Sequence, residues 1–198
     1  MAISQRKIEE RNIRKENILN AALEIFKSKG IENSTMENIA AKAGFGTATL
    51  YYYFHSKEEV FAAILLNGWE KLWEELEPVI KNIKSPRKTF VKVLLKTAEV
   101  IRKRPGLYEF LFNAPKKINF ENEPWKKYQS RIYGIINSLL VDGIKEKEFP
   151  QIDSQLLFKA MGGLFMGLVL MGNKKKSMSE NDIENLIDQL IFDPSKWR

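Results

Sequence analysis

The sequence predicts an all-α protein, a small N-terminal unit of three helices followed by a larger helical body. Three observations point there. Along most of the chain apolar residues recur at three- and four-residue steps. Nowhere do they alternate with the period of a strand, and no internal repeat is evident. Two capping boxes, Ser34 with Glu37 and Ser56 with Glu59, stand one short helix apart and frame a three-helix unit.

Taken in order, residues 2–15 are polar and mixed in charge, with Arg6, Lys7, Arg11, Arg14 and Lys15, and form either a frayed helix start or a mobile basic arm. Ile18, Leu19, Ala22, Leu23, Ile25 and Phe26 then make an amphipathic helix that Gly30 stops. Ser34 heads the second helix, whose apolar face is Met36, Ile39, Ala40 and Ala43 and whose end is Gly44. Residues 46–54 make a third, short one. The Ser56 box opens a long helix through Phe61, Ile64, Leu65, Trp69, Leu72, Leu76 and Ile80, with Pro78 expected to kink it or end it early. Its length is on the order of 30–40 Å, enough to tie one domain to another. Ser85-Pro86 reads as an N-cap with proline in the first turn, and that helix should run to Arg104, where Pro105-Gly106 stops it. A short apolar piece at 107–112 precedes a loop at 113–123. Further helices are expected at 125–147, 154–172 and 179–192, the last after the basic loop Lys174-Lys175-Lys176.

Composition removes whole classes of function. There is no cysteine and a single histidine, His55, which excludes disulfides, zinc ribbons, cysteine nucleophiles and nearly every Ser-His-Asp arrangement. Carboxylate pairs such as Asp182 with Glu184, or Glu121 with Glu123, have no histidine or glycine-rich phosphate loop to work with. No catalytic residue, cofactor or metal site is expected, and His55 reads as a surface residue. The first ten residues lack the apolar core of a secretory signal. The longest uncharged apolar run, residues 160–172, has 13 residues, where about 18 are needed to span a bilayer. A cytoplasmic protein without a membrane partner is the expectation.

The net charge is +7 and the isoelectric point about 9.4, which favours an anionic partner such as nucleic acid. The surplus is uneven. Residues 1–57 hold nine Lys/Arg against six Asp/Glu, residues 58–80 one Lys against six Glu, and residues 81–117 eleven Lys/Arg against Glu99 and Glu109. The last stretch reads either as a solvated helix face or as room for an acidic headgroup.

Two short helices joined by a tight glycine-containing turn describe a helix-turn-helix, here residues 34–53, whose second helix can enter the major groove of DNA. Phe26 and Gly30, Thr35, Ile39-Ala40, Ala43-Gly44, Thr49-Leu50-Tyr51, Phe54 and Lys57-Glu58-Glu59 follow one another without gaps, and this run closely resembles the DNA-binding signature of the TetR family. The match covers about residues 12–65. It implies a DNA-binding domain at 1–58 and a ligand-binding and dimerisation domain at 59–198. It also implies phosphate contacts from Thr35, Tyr51 and Lys57, and base-edge contacts from Thr47, Thr49 and Tyr52; Leu50, Tyr53 and Phe54 read instead as packing of the three-helix core. The chain departs from the family pattern at Phe45, Gly46, Thr47 and Tyr52. The recognition helix therefore carries no Lys or Arg, so readout should rest on thymine methyls, hydroxyl hydrogen bonds and DNA shape, with A·T pairs at the directly read positions.

The body carries weaker signals. Residues 156–171 are apolar almost all round, which asks for burial on every side, and Gly163 and Gly167 leave a smooth strip for another helix. With Ile183, Leu186, Ile187 and Leu190 they are the expected dimer face. Trp69, Phe110, Trp125, Tyr128 and Phe165 are the candidate lining of a pocket for a largely apolar effector. The resemblance implies a homodimeric repressor released from a palindromic double-stranded operator by a small molecule. Rival readings are a non-specific DNA architectural protein, an all-helical enzyme and a helical protein-interaction adaptor.

Overall fold

The computed structural model describes residues 2–81, 85–114, 123–171 and 179–188, and every regular element among them is helical. In chain order these are α1 (Ala2–Lys29), α2 (Met36–Ala43), α3 (Thr47–Tyr53), α4 (Lys57–Ile80), α5 (Pro86–Lys103), α6 (Pro105–Phe112), α7 (Lys126–Lys145), α8 (Ser154–Met166) with a π turn (Gly167–Met171) at its end, and α9 (Glu180–Ile187). They form two compact units, one of residues 1–68 and 110–125, the other of residues 69–109 and 126–198. The helix α4 contributes to both.

In the N-terminal unit Ile18, Ala22 and Phe26 of α1, Ile39 of α2, Leu50 of α3 and Phe61 and Ile64 of α4 are all buried, and Phe26 meets Phe61 at 5.9 Å between ring centroids. Phe110 closes this core from the far segment, stacked on Phe26 at 6.3 Å and edge-on to Phe61 at 5.3 Å between ring centroids. The basic arm at residues 2–15 is helical and continuous with the first helix, so α1 begins well before the periodic apolar pattern does. One ion pair, Arg6 to Glu10 at 3.1 Å, spans a turn of that extension.

In the C-terminal unit Ser85 accepts a bond from the Lys88 amide and Pro86 fills the first turn of α5, as its sequence predicts. Pro105 does stop α5, yet it also opens α6, because a proline whose missing N–H is not needed fits a first turn. The helix α7 ends where Lys147 takes a positive φ of 60° and the Glu148 and Phe149 amides both donate to the Gly143 carbonyl. That fold-back brings the Phe149 ring onto Gly143 so closely that a Cβ there would overlap it. Phe149 in turn packs edge-on to Phe90 at 5.5 Å.

One expected helix comes out differently. The one predicted at 154–172 is α-helical only to Met166, then widens into the π turn. Its cap is Asp153, whose carboxylate accepts the Leu156 amide at 2.8 Å. The helix predicted at 179–192 is seen as α9, with Ser179 and Asp182 forming a reciprocal capping box. Residues 189–192 of that prediction, Leu190 included, lie outside the described residues.

Four charged residues of α4 and α5 form a shared network. Lys96 reaches Glu75 at 2.8 Å and Glu99 at 3.2 Å, and Lys103 reaches Glu99 at 3.0 Å and Glu75 at 3.7 Å. Part of the basic surplus after residue 81 therefore answers the acidic stretch before it. No described helix is long and apolar enough to cross a membrane.

Candidate nucleic-acid interface

The turn between α2 and α3 is set by Gly44. Its φ of 73° is left-handed, and with it the Phe45 amide bonds the Ala40 carbonyl at 3.0 Å and the Gly44 amide bonds the Ala41 carbonyl at 3.2 Å. This pair of bonds is a Schellman motif, which ends α2 sharply and turns the chain into α3. Gly46 caps α3 without a side chain to help it. The seven-residue helix is held instead by Leu50 and Phe54, both buried.

That burial splits α3 into two faces. Leu50 and Phe54 point inward, Tyr53 is half-buried, and Tyr51 and Tyr52 stand out at 45% and 69% exposed. Thr47 and Thr49 are half-buried beside them. The three consecutive tyrosines are thus one brace and two exposed groups, with Tyr53 meeting Tyr52 edge-on at 5.2 Å. Exposed phenols on a short helix offer hydroxyls and flat apolar faces to a partner, which suits base edges and phosphates.

Thr35, not Ser34, caps α2. The Thr35 hydroxyl accepts the Asn38 amide at 3.2 Å, while the Ser34 hydroxyl is buried and donates to the Gly30 carbonyl. The cap thus falls one residue after the serine that the spacing predicts, because the serine's nearest acceptor lies behind it in the chain. Glu37 has its carboxyl held below the usual carboxylate range by its own backbone amide and then by the Thr35 hydroxyl. At α4 the Ser56 oxygen takes the Glu59 amide at 3.2 Å as expected, but Glu59 reaches back to the His55 amide at 2.6 Å, one residue beyond the cap.

Lys57 is half-buried and doubly engaged. Its ammonium donates to the Glu32 carbonyl and the Ser34 carbonyl, each at 3.0 Å. It therefore ties the first residue of α4 to the loop that presents Thr35. Nothing in a single sequence marks this contact, since it joins positions 25 and 23 residues apart. An ammonium has three donors, so one is left over from this clamp.

The residues expected to line an effector pocket fall in both units. Trp69 is buried in the C-terminal unit and meets Tyr133 edge-on at 5.6 Å, and Tyr133 meets Phe158 at 5.9 Å. Tyr128 donates to the Glu70 carboxylate at 2.7 Å, and Arg131 lies over the Trp73 ring at 4.0 Å. Phe165 lines a small apolar hollow with Leu94, Met161, Leu168, Ile183 and Ile187; its free volume of about 10 Å³ holds at most a water. Phe110 and Trp125 belong to the N-terminal unit, where Phe110 is part of the core described above. Tyr133 and Phe158 are aromatic neighbours that no pattern in the sequence singles out. A separate cleft of about 350 Å³ is lined by Lys71, Glu74, Glu75, Val100, Lys103, Arg104 and Tyr108. Burial pushes the Tyr108 phenol up to about 12.

Of the expected dimer face, Gly163 is exposed and Gly167 half-buried, with open space where a Cβ would stand on either. Ile183 and Ile187 are buried and Leu186 is half-buried. The same helix leaves Leu156 55% and Leu168 40% exposed, so one chain does not supply burial on every side.

A buried three-helix core with a glycine-turned pair of short helices and an exposed tyrosine face defines a helix-turn-helix DNA-binding protein. A family model described as "Bacterial regulatory proteins, tetR family" matches residues 18–64. Among curated relatives, the HTH-type transcriptional regulator TtgW of Pseudomonas putida is 30% identical over 96 residues, 41% of this chain and 72% of that protein. The HTH-type transcriptional regulator YfiR of Bacillus subtilis is 29% identical over 154 residues, 73% of this chain and 72% of that one. Among solved structures, that of AibR in complex with isovaleryl coenzyme A and operator DNA superposes with a TM-score of 0.75 at 14% identity, over 90% of this chain and 98% of that one. The chain belongs to the TetR family. It is a DNA-binding transcriptional regulator and not an enzyme.

Proposed function

We propose that the protein is a homodimeric repressor that binds a palindromic operator and is released from it by a small, largely apolar effector. The division of α3 into a buried face and an exposed Tyr51-Tyr52 face carries this reading. In it α3 lies in the major groove, with Thr47, Thr49 and Tyr52 at base edges, and with Thr35, Tyr51 and the third donor of Lys57 on phosphates. Two-fold symmetry places the paired α3 helices about 34–36 Å apart, one turn of DNA. The open glycine strip and the exposed Leu156 and Leu168 support a dimer face around Gly163, Gly167, Ile183, Leu186 and Ile187.

For the effector, the aromatic run of Trp69, Tyr133 and Phe158, with Tyr128 nearby on α7, is the favoured lining, and Phe165 belongs to it if the small hollow opens. AibR was solved with a coenzyme A thioester, and the acyl tail of such a ligand supplies the apolar part that this lining takes. Effector binding would favour a position of α4 that changes the spacing of the reading heads.

Selection of bound duplexes from a random pool, at low and physiological salt, tests the reading. A palindrome that survives salt and changes with Tyr52→Ala is expected. Binding that vanishes with salt and enriches no site would replace it with a non-specific architectural role.

A further inference from the structure

The recognition helix has no Lys or Arg of its own, yet a guanidinium stands on it. The inward stripe of α1, Ile18 and Ala22, is fully buried. Followed toward the N-terminus at steps of three and four, the same stripe carries Lys15, Arg11 and Lys7. These basic residues therefore leave the core on the side where α3 lies. The Lys15 ammonium sits 5.6 Å from the centre of the Phe54 ring, and the Arg11 guanidinium carbon 5.9 Å from the centre of the Tyr52 ring. Tyr53 abuts Tyr52 edge-on. Among the described residues no carboxylate pairs with Arg11, in contrast to Arg6, which Glu10 holds.

We infer that Arg11 is a specificity-determining residue: placed over Tyr52, it brings to the major groove the guanidinium that α3 lacks and reads a guanine there. The inference rests on the proposed entry of α3 into the groove. A guanidinium over an aromatic face spends none of its N–H donors on the ring, and its donor fork matches the O6 and N7 acceptors of guanine in two parallel bonds. Most other directly read positions, faced by threonine and tyrosine side chains, remain suited to A·T pairs. The half-site is then an A·T-rich sequence with one guanine fixed by a residue outside the helix-turn-helix.

The test compares the full-length wild type with Arg11→Lys and Arg11→Ala. Each is used in duplex selection, then titrated against single-position variants of the enriched site at two salt concentrations. Circular dichroism checks that the exposed substitutions leave the fold intact. The wild type should enrich a palindrome with one guanine per half-site and lose roughly 5- to 150-fold when that pair is changed. Arg11→Ala should lose that discrimination, Arg11→Lys should weaken it, and both should keep the rest of the site. A guanine preference retained in full by Arg11→Ala would overturn the inference, because position 11 would then not read that base. So would a uniform loss across all sequences with a shallower salt slope in Arg11→Ala, the mark of a phosphate contact. A palindrome with no fixed guanine overturns the role of Arg11 alone, whereas no palindrome at all overturns the operator reading beneath it as well.

Discussion

At the scale of single residues, Lys57 holds two carbonyls with one ammonium. Replacing it by methionine leaves the Glu32 and Ser34 carbonyls without their charged donor. A loss of about 1–3 kcal/mol is expected, read as a Tm lower by roughly 2–4 °C for each kcal/mol. If its third donor meets a phosphate, the salt dependence of operator binding should also flatten by about one unit of slope per half-site. A lower Tm with an unchanged slope would keep the clamp and remove the phosphate role. Gly143→Ala should cost about 1–3 kcal/mol by overpacking, since the new methyl meets the Phe149 ring in a fixed fold-back; chemical denaturation measures it. Tyr108 adds an alkaline limit. Its folded phenol is raised from 10.0 to about 12, chiefly by burial, so its stabilising share is intact below pH 10 and is lost as pH rises through 12. Tyr108→Phe should hold its Tm further into that window than the wild type does.

At the scale of elements, α4 and α5 are joined by alternating charges whose effect has a definite sign. Hydrogen bonds from Lys96 hold Glu75 below its ordinary 4.5, and bonds from Lys103 and then Lys96 do the same for Glu99. A carboxyl lowered in the folded state stabilises above its unfolded pKa and loses that share as pH falls through the folded value. The stability gap between wild type and Lys96→Met should be present at neutral pH, shrink below pH 4.5, and shrink also in molar salt, because these side chains are largely solvated. A gap constant with pH would assign the effect to packing of the lysine stem. Element existence was legible from periodicity and from glycine and proline, which act locally. What was not legible depended on partners distant in sequence or on one-residue choices. Ser34 looks like a cap until its hydroxyl is seen to donate to the Gly30 carbonyl, and residues 2–15 read as either a frayed helix start or an arm because nothing in their composition decides between the two. The π turn at Gly167 leaves no compositional mark, being a change in ring size within an apolar run. The exposed tyrosines were readable because three in a row exceed what one small core can bury. The clamp of Lys57 and the placing of Arg11 over Tyr52 needed coordinates.

At the scale of the whole molecule, the proposed dimer and effector answer to two measurements. Leu168→Glu puts a charge on an exposed apolar position of the proposed face, so sedimentation should show a monomer where the wild type is a dimer, with operator affinity falling toward that of one half-site. A dimer that survives the change would place the interface elsewhere. Linkage requires that an effector weakening operator binding by some factor be itself weakened by operator to the same factor; equal effector affinity with and without operator would sink the release mechanism. One further consequence comes from Phe110, which completes the N-terminal core from a segment that α4 and α5 separate from it. The DNA-binding unit is discontinuous in the gene. A reading head cut out as a single cassette and spliced onto another regulator would arrive with Phe26 and Phe61 uncovered, so exchange of specificity between relatives should succeed only when the segment around residue 110 travels with the first 68.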